Sequence, residues 1–295
     1  MTENLLKTGS CSIIIGKNHY SGYFNYKLNK LLKVTKILDN HNELSNMEII
    51  RKIPQASQYF VIPDKEIFTI FPESIFYKYL QNITPSDCSN IFKGNLFCFY
   101  VDNAGTHDLL DSINDMNLHN FSNTWTSYQS ILNFTQQIMR GLSFLHFNKI
   151  CHLDIKPENI MINNNNFKII DFGFSSIEPF DDFISTMKGT PGYFPKHFYD
   201  SVEPGMPAIK ANDLEYVNGK IPMTIDRKLV YKIDSYCLGR VINLLMYHFQ
   251  DITYPSCLCF PNSTKKKINK IKNLLLENDV NKRLCVSDIL LLNLI

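Results

Sequence analysis

Ile131, Phe134, Ile138, Leu142 and Leu145 repeat at helical spacing along one face, which predicts an amphipathic helix from Tyr128 to Phe147. Beyond it, the apolar runs Ile160-Met161-Ile162 and Phe167-Lys-Ile-Ile170 flank a polar turn, Asn163 to Asn166, and predict a β-hairpin. Near the amino terminus, Ser10 to Ile15 is apolar and β-branched between Gly9 and Gly16. It reads as part of a hairpin, with Tyr23 to Lys30 and Leu31 to Leu38 continuing the sheet. Met47, Ile50 and Ile53 give a helical stripe in a segment starting near Asn42. Phe68 to Leu80 and Asn95 to Val101 read as further strand or apolar segments. Lysines 265–267, 270 and 272 share a helix with Ile268, Ile271, Leu274 and Leu275, which makes them its solvated face.

With 295 residues, 44% hydrophobic and 20% charged, the chain has the composition of a globular protein with a sizeable core. A net charge of +2 gives no general attraction to nucleic acid. No apolar run approaches the roughly 20 residues that cross a bilayer as a helix, and no basic segment with an apolar core opens the chain. The eight cysteines are scattered without a C-x-x-C pair, so neither a zinc site nor a disulfide framework is expected. A reducing, cytoplasmic location fits best.

The chemistry concentrates around the predicted hairpin. Asp154 follows the long helix and precedes a loop with Lys156 and Asn159, and Asp171 ends the second run before Phe172-Gly173. Two carboxylates, an ammonium and an amide brought together by a hairpin suit phosphoryl transfer. That reaction needs positioning and charge stabilisation more than covalent chemistry. His152-Leu-Asp154-Ile-Lys156-Pro-Glu-Asn159 is similar to the H-R-D-L-x-x-x-N catalytic loop of eukaryotic protein kinases, and Asp171-Phe-Gly173 to their D-F-G. Gly189-Thr190-Pro-Gly192-Tyr193-Phe-Pro195 resembles the peptide-docking segment of the Ser/Thr kinases. Tyr231-Lys-Ile-Asp234-Ser-Tyr-Cys-Leu-Gly239 resembles the start of their core helix, and Asp279-Val-Asn-Lys-Arg283 the D-P-x-x-R before their final helix. The short amino-terminal part also resembles kinases of large DNA viruses, for which host cytoplasm or virion would be the location.

The resemblance implies an α+β, bilobal protein-kinase-like fold, with residues 1–103 a β-rich nucleotide-binding lobe and 104–295 a larger helical lobe. It implies ATP and Mg²⁺ (or Mn²⁺) as cofactors. Asp154 would orient the acceptor hydroxyl or take its proton, Lys156 would stabilise the γ-phosphate, and Asn159 and Asp171 would bind the metal. Lys36 on a strand, paired with Glu48 on the next helix, would grip the α and β phosphates; Lys33 and Glu43 are the alternatives. Gly9 stands at the centre of the glycine-rich loop, whose outer glycines are replaced by Lys7 and Ser12. Ile14, Val34 and Met161 join the nucleotide-binding set. Adenine would bond the backbone of Asp102 and Ala104, and Asp108 would bind ribose or cap a helix. Thr190 would contact Asp154 and Lys156. Asp234 would bond the catalytic-loop backbone.

Three departures stand out. Leu153 replaces the arginine that clamps a phosphorylated activation segment, so phosphorylation of Ser185 or Thr186 should not be an essential switch. Pro195-Lys196-His197 replaces A-P-E, which takes the usual partner from Arg283 and leaves Glu203 as a substitute. About 25 extra residues, beyond an ordinary loop, lie between about Tyr199 and Leu229. The reading is a monomeric Ser/Thr protein kinase acting on protein substrates, with no nucleic-acid or membrane partner. Its alternatives are a pseudokinase serving as a binding module and a kinase of small molecules.

Overall fold

A computed structural model describes residues 6–8, 12–25, 27, 29–36, 41–86, 91–105, 107–117, 127–178, 180, 189–195, 227–250 and 262–292. Gly9, Ser185, Thr186, Lys196, His197, Glu203 and the extra segment up to residue 226 lie outside them. The chain divides into two compact units, residues 1–106 and 107–295. The architecture is α+β.

The first unit is built on a five-stranded antiparallel sheet of order β1-β2-β3-β5-β4: β1 (Leu6–Thr8), β2 (Ser12–Ile15), β3 (Lys30–Lys36), β4 (Pro63–Ile70) and β5 (Leu96–Asp102). Strand alternation sends Ile13, Ile15, Leu32, Val34, Leu96, Cys98 and Tyr100 to one face, where they pack with Phe76, Tyr77 and Leu80 of α3 (Ile75–Ile83). Ser74 caps that helix by accepting the amide hydrogen of Tyr77. Lys33 and Ile14, directly opposite each other in register, take the other face.

One expectation fails here. None of the described residues from Tyr23 to Asn29 is in a strand, and Lys30 only begins β3. A one-turn helix, α1 (Lys17–Tyr20), and a turn come first, where the Tyr20 ring is fully buried and its hydroxyl donates to Lys30 O at 3.1 Å. Phe68 to Leu80, expected as strand or apolar segments, spans the end of β4, a turn and α3, with the helix start set by Ser74. The helix expected near Asn42 is α2 (His41–Arg51).

The second unit is mainly helical: α4 (Leu109–Asn117), α5 (Tyr128–Phe147), α6 (Arg227–Gln250), α7 (Asn262–Leu275) and α8 (Val286–Leu291). Ile131, Phe134, Ile138, Leu142 and Leu145 of α5 are all essentially buried, as the stripe required. Each such apolar side chain contributes about 1.5–3 kcal/mol by leaving water. α6 crosses α7 where Gly239 has no side chain: a Cβ there would meet the Leu276 side chain at 2.9 Å. Asp234 is not at the start of its helix, as the motif suggested, but well inside α6. Strands β8 (Ile160–Asn163) and β9 (Asn166–Ile169) form the hairpin, joined at its edge by β6 (His107–Asp108), and β7 (Ile150–Cys151) pairs with β10 (Ser176–Ile177). Among the described residues no helix is long and apolar enough to cross a membrane.

Candidate active site

The loop between β7 and β8 is pinned from beneath. Asp234, fully buried, accepts the amide hydrogens of His152 at 2.9 Å and Leu153 at 2.7 Å. His146, on the apolar face of α5, brings Nε2 within 2.9 Å of the same carboxylate. Burial opposes the charge of Asp234, but the His146 bond and the backbone amides outweigh it and hold the carboxyl below its usual range. These bonds hold Leu153 at φ +66°, left-handed for a branched residue, a conformation that costs roughly 1–3 kcal/mol.

Both oxygens of Asp154 are engaged. Oδ1 accepts the Thr190 hydroxyl hydrogen, and Oδ2 receives Lys156 Nζ at 2.9 Å and Asn159 Nδ2 at 2.9 Å. Lys156 Nζ also donates to Thr190 Oγ at 2.9 Å, which closes a ring of three side chains. Asn159 Nδ2 donates again to Asp154 O at 2.8 Å, so its carbonyl oxygen is turned away from Asp154. Backbone pairing continues past the hairpin: Ile170 N donates to Asn159 O at 2.9 Å, which places Asn159 beside Asp171. Asp171 is exposed at φ +64°, and its Oδ1 accepts the Gly173 amide hydrogen at 3.2 Å.

His152 locks loop to hairpin. Its Nδ1 accepts the Asp154 amide hydrogen at 3.3 Å, so Nε2 carries the proton donated to Ile170 O at 3.0 Å. Phe172, fully buried, meets the His152 ring edge-on at 5.0 Å. Thr190 is held by its own segment: a Cβ on Gly189 would sit 2.4 Å from the Phe194 ring, and Arg240 Nε donates to Gly192 O at 3.0 Å. The Tyr193 hydroxyl is pushed up to about 12, by burial and then by the Glu158 carboxylate.

Residues 86–203 match the protein kinase domain family. Over 108 residues the chain is 35% identical to mitogen-activated protein kinase kinase 7 of Arabidopsis thaliana, covering 36% of this chain and 35% of that protein. It is 42% identical over 64 residues to cyclin-dependent kinase F-3 of Oryza sativa subsp. japonica, covering 20% and 15%. It is 29% identical over 144 residues to the probable serine/threonine-protein kinase MARK-B of Dictyostelium discoideum, covering 47% and 19%. Over the stretches they cover, these matches liken the chain to the eukaryotic-type protein kinases. It spans about a third or less of the length of these relatives.

The amino-terminal unit corrects the expected ion pair. Lys33, not Lys36, meets a helix carboxylate: its Nζ donates to Glu43 Oε1, and both side chains are nearly buried, 12% and 7% exposed. Glu48 instead lies on the exposed side of α2, near Arg51 at 3.7 Å and Lys52 at 3.8 Å. The reason is alternation. Lys36 falls on the face of Leu32 and Val34, and Lys33 on the opposite face with Leu31 and Ile14. Val34 is likewise corrected: it is fully buried in the core cluster and does not share the face of Lys33.

Asp102 ends β5 with its carboxylate on Lys30 at 2.7 Å, and Ala104 is buried. Of its two expected roles, Asp108 makes the helix cap. Its Oδ1 accepts the Asp111 amide hydrogen at 2.9 Å, and its own amide donates back to Asp111 Oδ2 at 3.2 Å. Met161 pairs with Asp108 across β6 and β8 and is half-buried. Arg283, nearly fully buried, donates Nε to Glu277 O at 2.8 Å and lies 4.7 Å from the Tyr236 ring centroid.

Sequence reading missed His146; its signal was a histidine beside Leu142 and Leu145 on the apolar face of α5. His146, Cys151 and Asp234 have ligand atoms within 4.8 Å of one another, a zinc-like set. Three N–H donors already occupy the Asp234 carboxylate, and burial holds the Cys151 thiol protonated, so the trio serves as a hydrogen-bonded support under the loop.

Proposed function

We propose that this chain is a protein serine/threonine kinase, a transferase that moves the γ-phosphoryl group of ATP to the hydroxyl of Ser or Thr in a protein substrate. The observation that carries the reading is the ring of Asp154, Lys156 and Thr190 with Asn159 behind it. A carboxylate flanked by an ammonium suits an acceptor hydroxyl: Asp154 orients it and takes its proton as the bond to phosphorus forms and ADP leaves. Lys156 is placed to meet the charge on the transferred group. Thr190, bonded to both, supports acceptance of a hydroxyl as short as that of Ser or Thr.

Asn159 Oδ1 and the Asp171 carboxylate are hard oxygen donors of the kind Mg²⁺ or Mn²⁺ takes, and the Asn159 amide orientation supports this use. The metal would neutralise phosphate charge. In the amino-terminal unit, Lys33 with Glu43 replaces Lys36 with Glu48 as the group for the α and β phosphates. Gly9 would cover them, Ile14 and Ala104 would line the base, and the main chain at Asp102 and Ala104 would bond it. Glu158 has one buried carboxylate oxygen with no hydrogen-bond partner among the described residues, and it raises the Tyr193 hydroxyl. That supports a preference for substrates with a basic residue near the acceptor.

Phosphoamino-acid analysis of casein and myelin basic protein after incubation with ATP and Mg²⁺ tests the reading. Phosphoserine or phosphothreonine is expected. Phosphotyrosine alone, or bound ATP without any transfer, contradicts it, the second outcome being that of a pseudokinase.

A further inference from the structure

A half-buried charge network ties three strand ends of the amino-terminal unit to one lysine. Lys30, the first residue of β3, donates from Nζ to Asp102 Oδ1 on β5 at 2.7 Å and to Asp64 Oδ1 on β4 at 2.9 Å. Lys30 and Asp102 are directly opposite in register. Lys27 extends the network to Asp64 Oδ2 at 3.0 Å and Glu66 Oε2 at 2.8 Å, and lies 4.5 Å from the Tyr100 ring centroid.

The segment after Asp102 is held at the same place. Asn103 N donates to Asn29 O at 3.0 Å, and Gly105 N donates to Asn103 Oδ1 at 3.2 Å. Lys30 and Asp64 are only 22% and 23% exposed, so their bond is not that of a loose surface pair, while Asp102 is 40% exposed. Burial works against the Lys30 charge, yet its bonds to Asp102 and Asp64 leave it raised, and Asp64 is lowered. By alternation from Tyr100, the Asp102 carboxylate lies on the core-cluster face, opposite to Lys33 and Ile14. The network therefore grips the end of β5 from the face that the phosphate-binding pair does not use.

We infer that Lys30 is a positioning residue for nucleotide. It fixes residues 102–105, whose main chain takes the base, and so sets affinity and base selectivity without touching the nucleotide. The inference rests on the kinase reading above.

The test is calorimetric titration of Mg-ADP and Mg-GDP into the full chain, with KM and kcat for ATP. It compares wild type, Lys30→Met and Asp102→Asn. For Lys30→Met we expect ADP affinity and KM for ATP to worsen about three- to ten-fold, kcat at saturating ATP to stay within about two-fold, and the preference for ADP over GDP to fall. If Lys30→Met does not fold, Asp102→Asn, which keeps the bonds around Asp64, should show the same split. Either variant binding ADP as wild type does, with only a lower melting temperature, reduces the network to a structural support and overturns the inference. A wild-type chain that binds no nucleotide overturns the kinase reading and this inference with it.

Discussion

Asp234 Oδ1 accepts the amide hydrogen of Leu153 at 2.7 Å, so a fully buried carboxylate of α6 fixes the backbone immediately before Asp154. Asp234→Ala would leave the donors of His146, His152 and Leu153 buried without an acceptor. It should cost about 3–5 kcal/mol of stability, measured by urea unfolding, and abolish transfer even where the protein remains folded. The pH dependence has a definite sign. The folded carboxyl titrates below its unfolded value of about 3.9, so its contribution is present above that pH and is lost as pH falls through the lower folded value. Unfolding free energy should fall more steeply below about pH 4 in wild type than in Asp234→Asn.

Lys33→Met should lose transfer by roughly 10²-fold or more, because Glu43 is left as a nearly buried carboxylate and the proposed cation for the phosphates is gone. Lys36→Met should stay within about three-fold. Steady-state kinetics on both variants separates the two lysines; a larger loss at Lys36 would contradict the assignment.

The way this lysine was misread shows what local sequence carries. Val34-Thr-Lys36 looked most like the family strand, but which face a strand residue takes depends on its register with β2 and β5, a long-range property. By contrast the α5 stripe, the asparagine turn of the β8–β9 hairpin and the loop from His152 to Asn159 were legible, because each depends on residues a few positions apart. The described residues from Tyr23 to Asn29 departed from a strand for a related reason: tertiary burial of Tyr20 overrode a strand-like composition. His146 was invisible because its partner, Asp234, lies far along the chain.

Gly189→Ala should impair activity through Thr190. The added methyl would stand 2.4 Å from the Phe194 ring, so the segment must shift, at a cost of about 1–3 kcal/mol. We expect kcat to fall at least ten-fold while Gly192→Ala, strained by φ +90° but facing open space, loses less. Equal activity of Gly189→Ala and wild type would show that Thr190 is not held by this contact.

Leu153 is fully buried where an arginine would receive a phosphate. Replacing Ser185 and Thr186 together by alanine should therefore leave transfer within about two-fold. Loss of activity in that double variant, with an unchanged melting temperature, would contradict the expectation.

The most direct test of the central claim is the rate of labelled phosphate transfer from ATP with Mg²⁺ to a protein acceptor, by wild type and by Asp154→Asn. The side chain changes little in size, and Asn can still accept from Thr190. The account predicts label on Ser or Thr with wild type and a fall of about 10³-fold or more in the variant, with ATP binding retained. Equal transfer by both, or none by a wild-type chain that binds ATP, would contradict it.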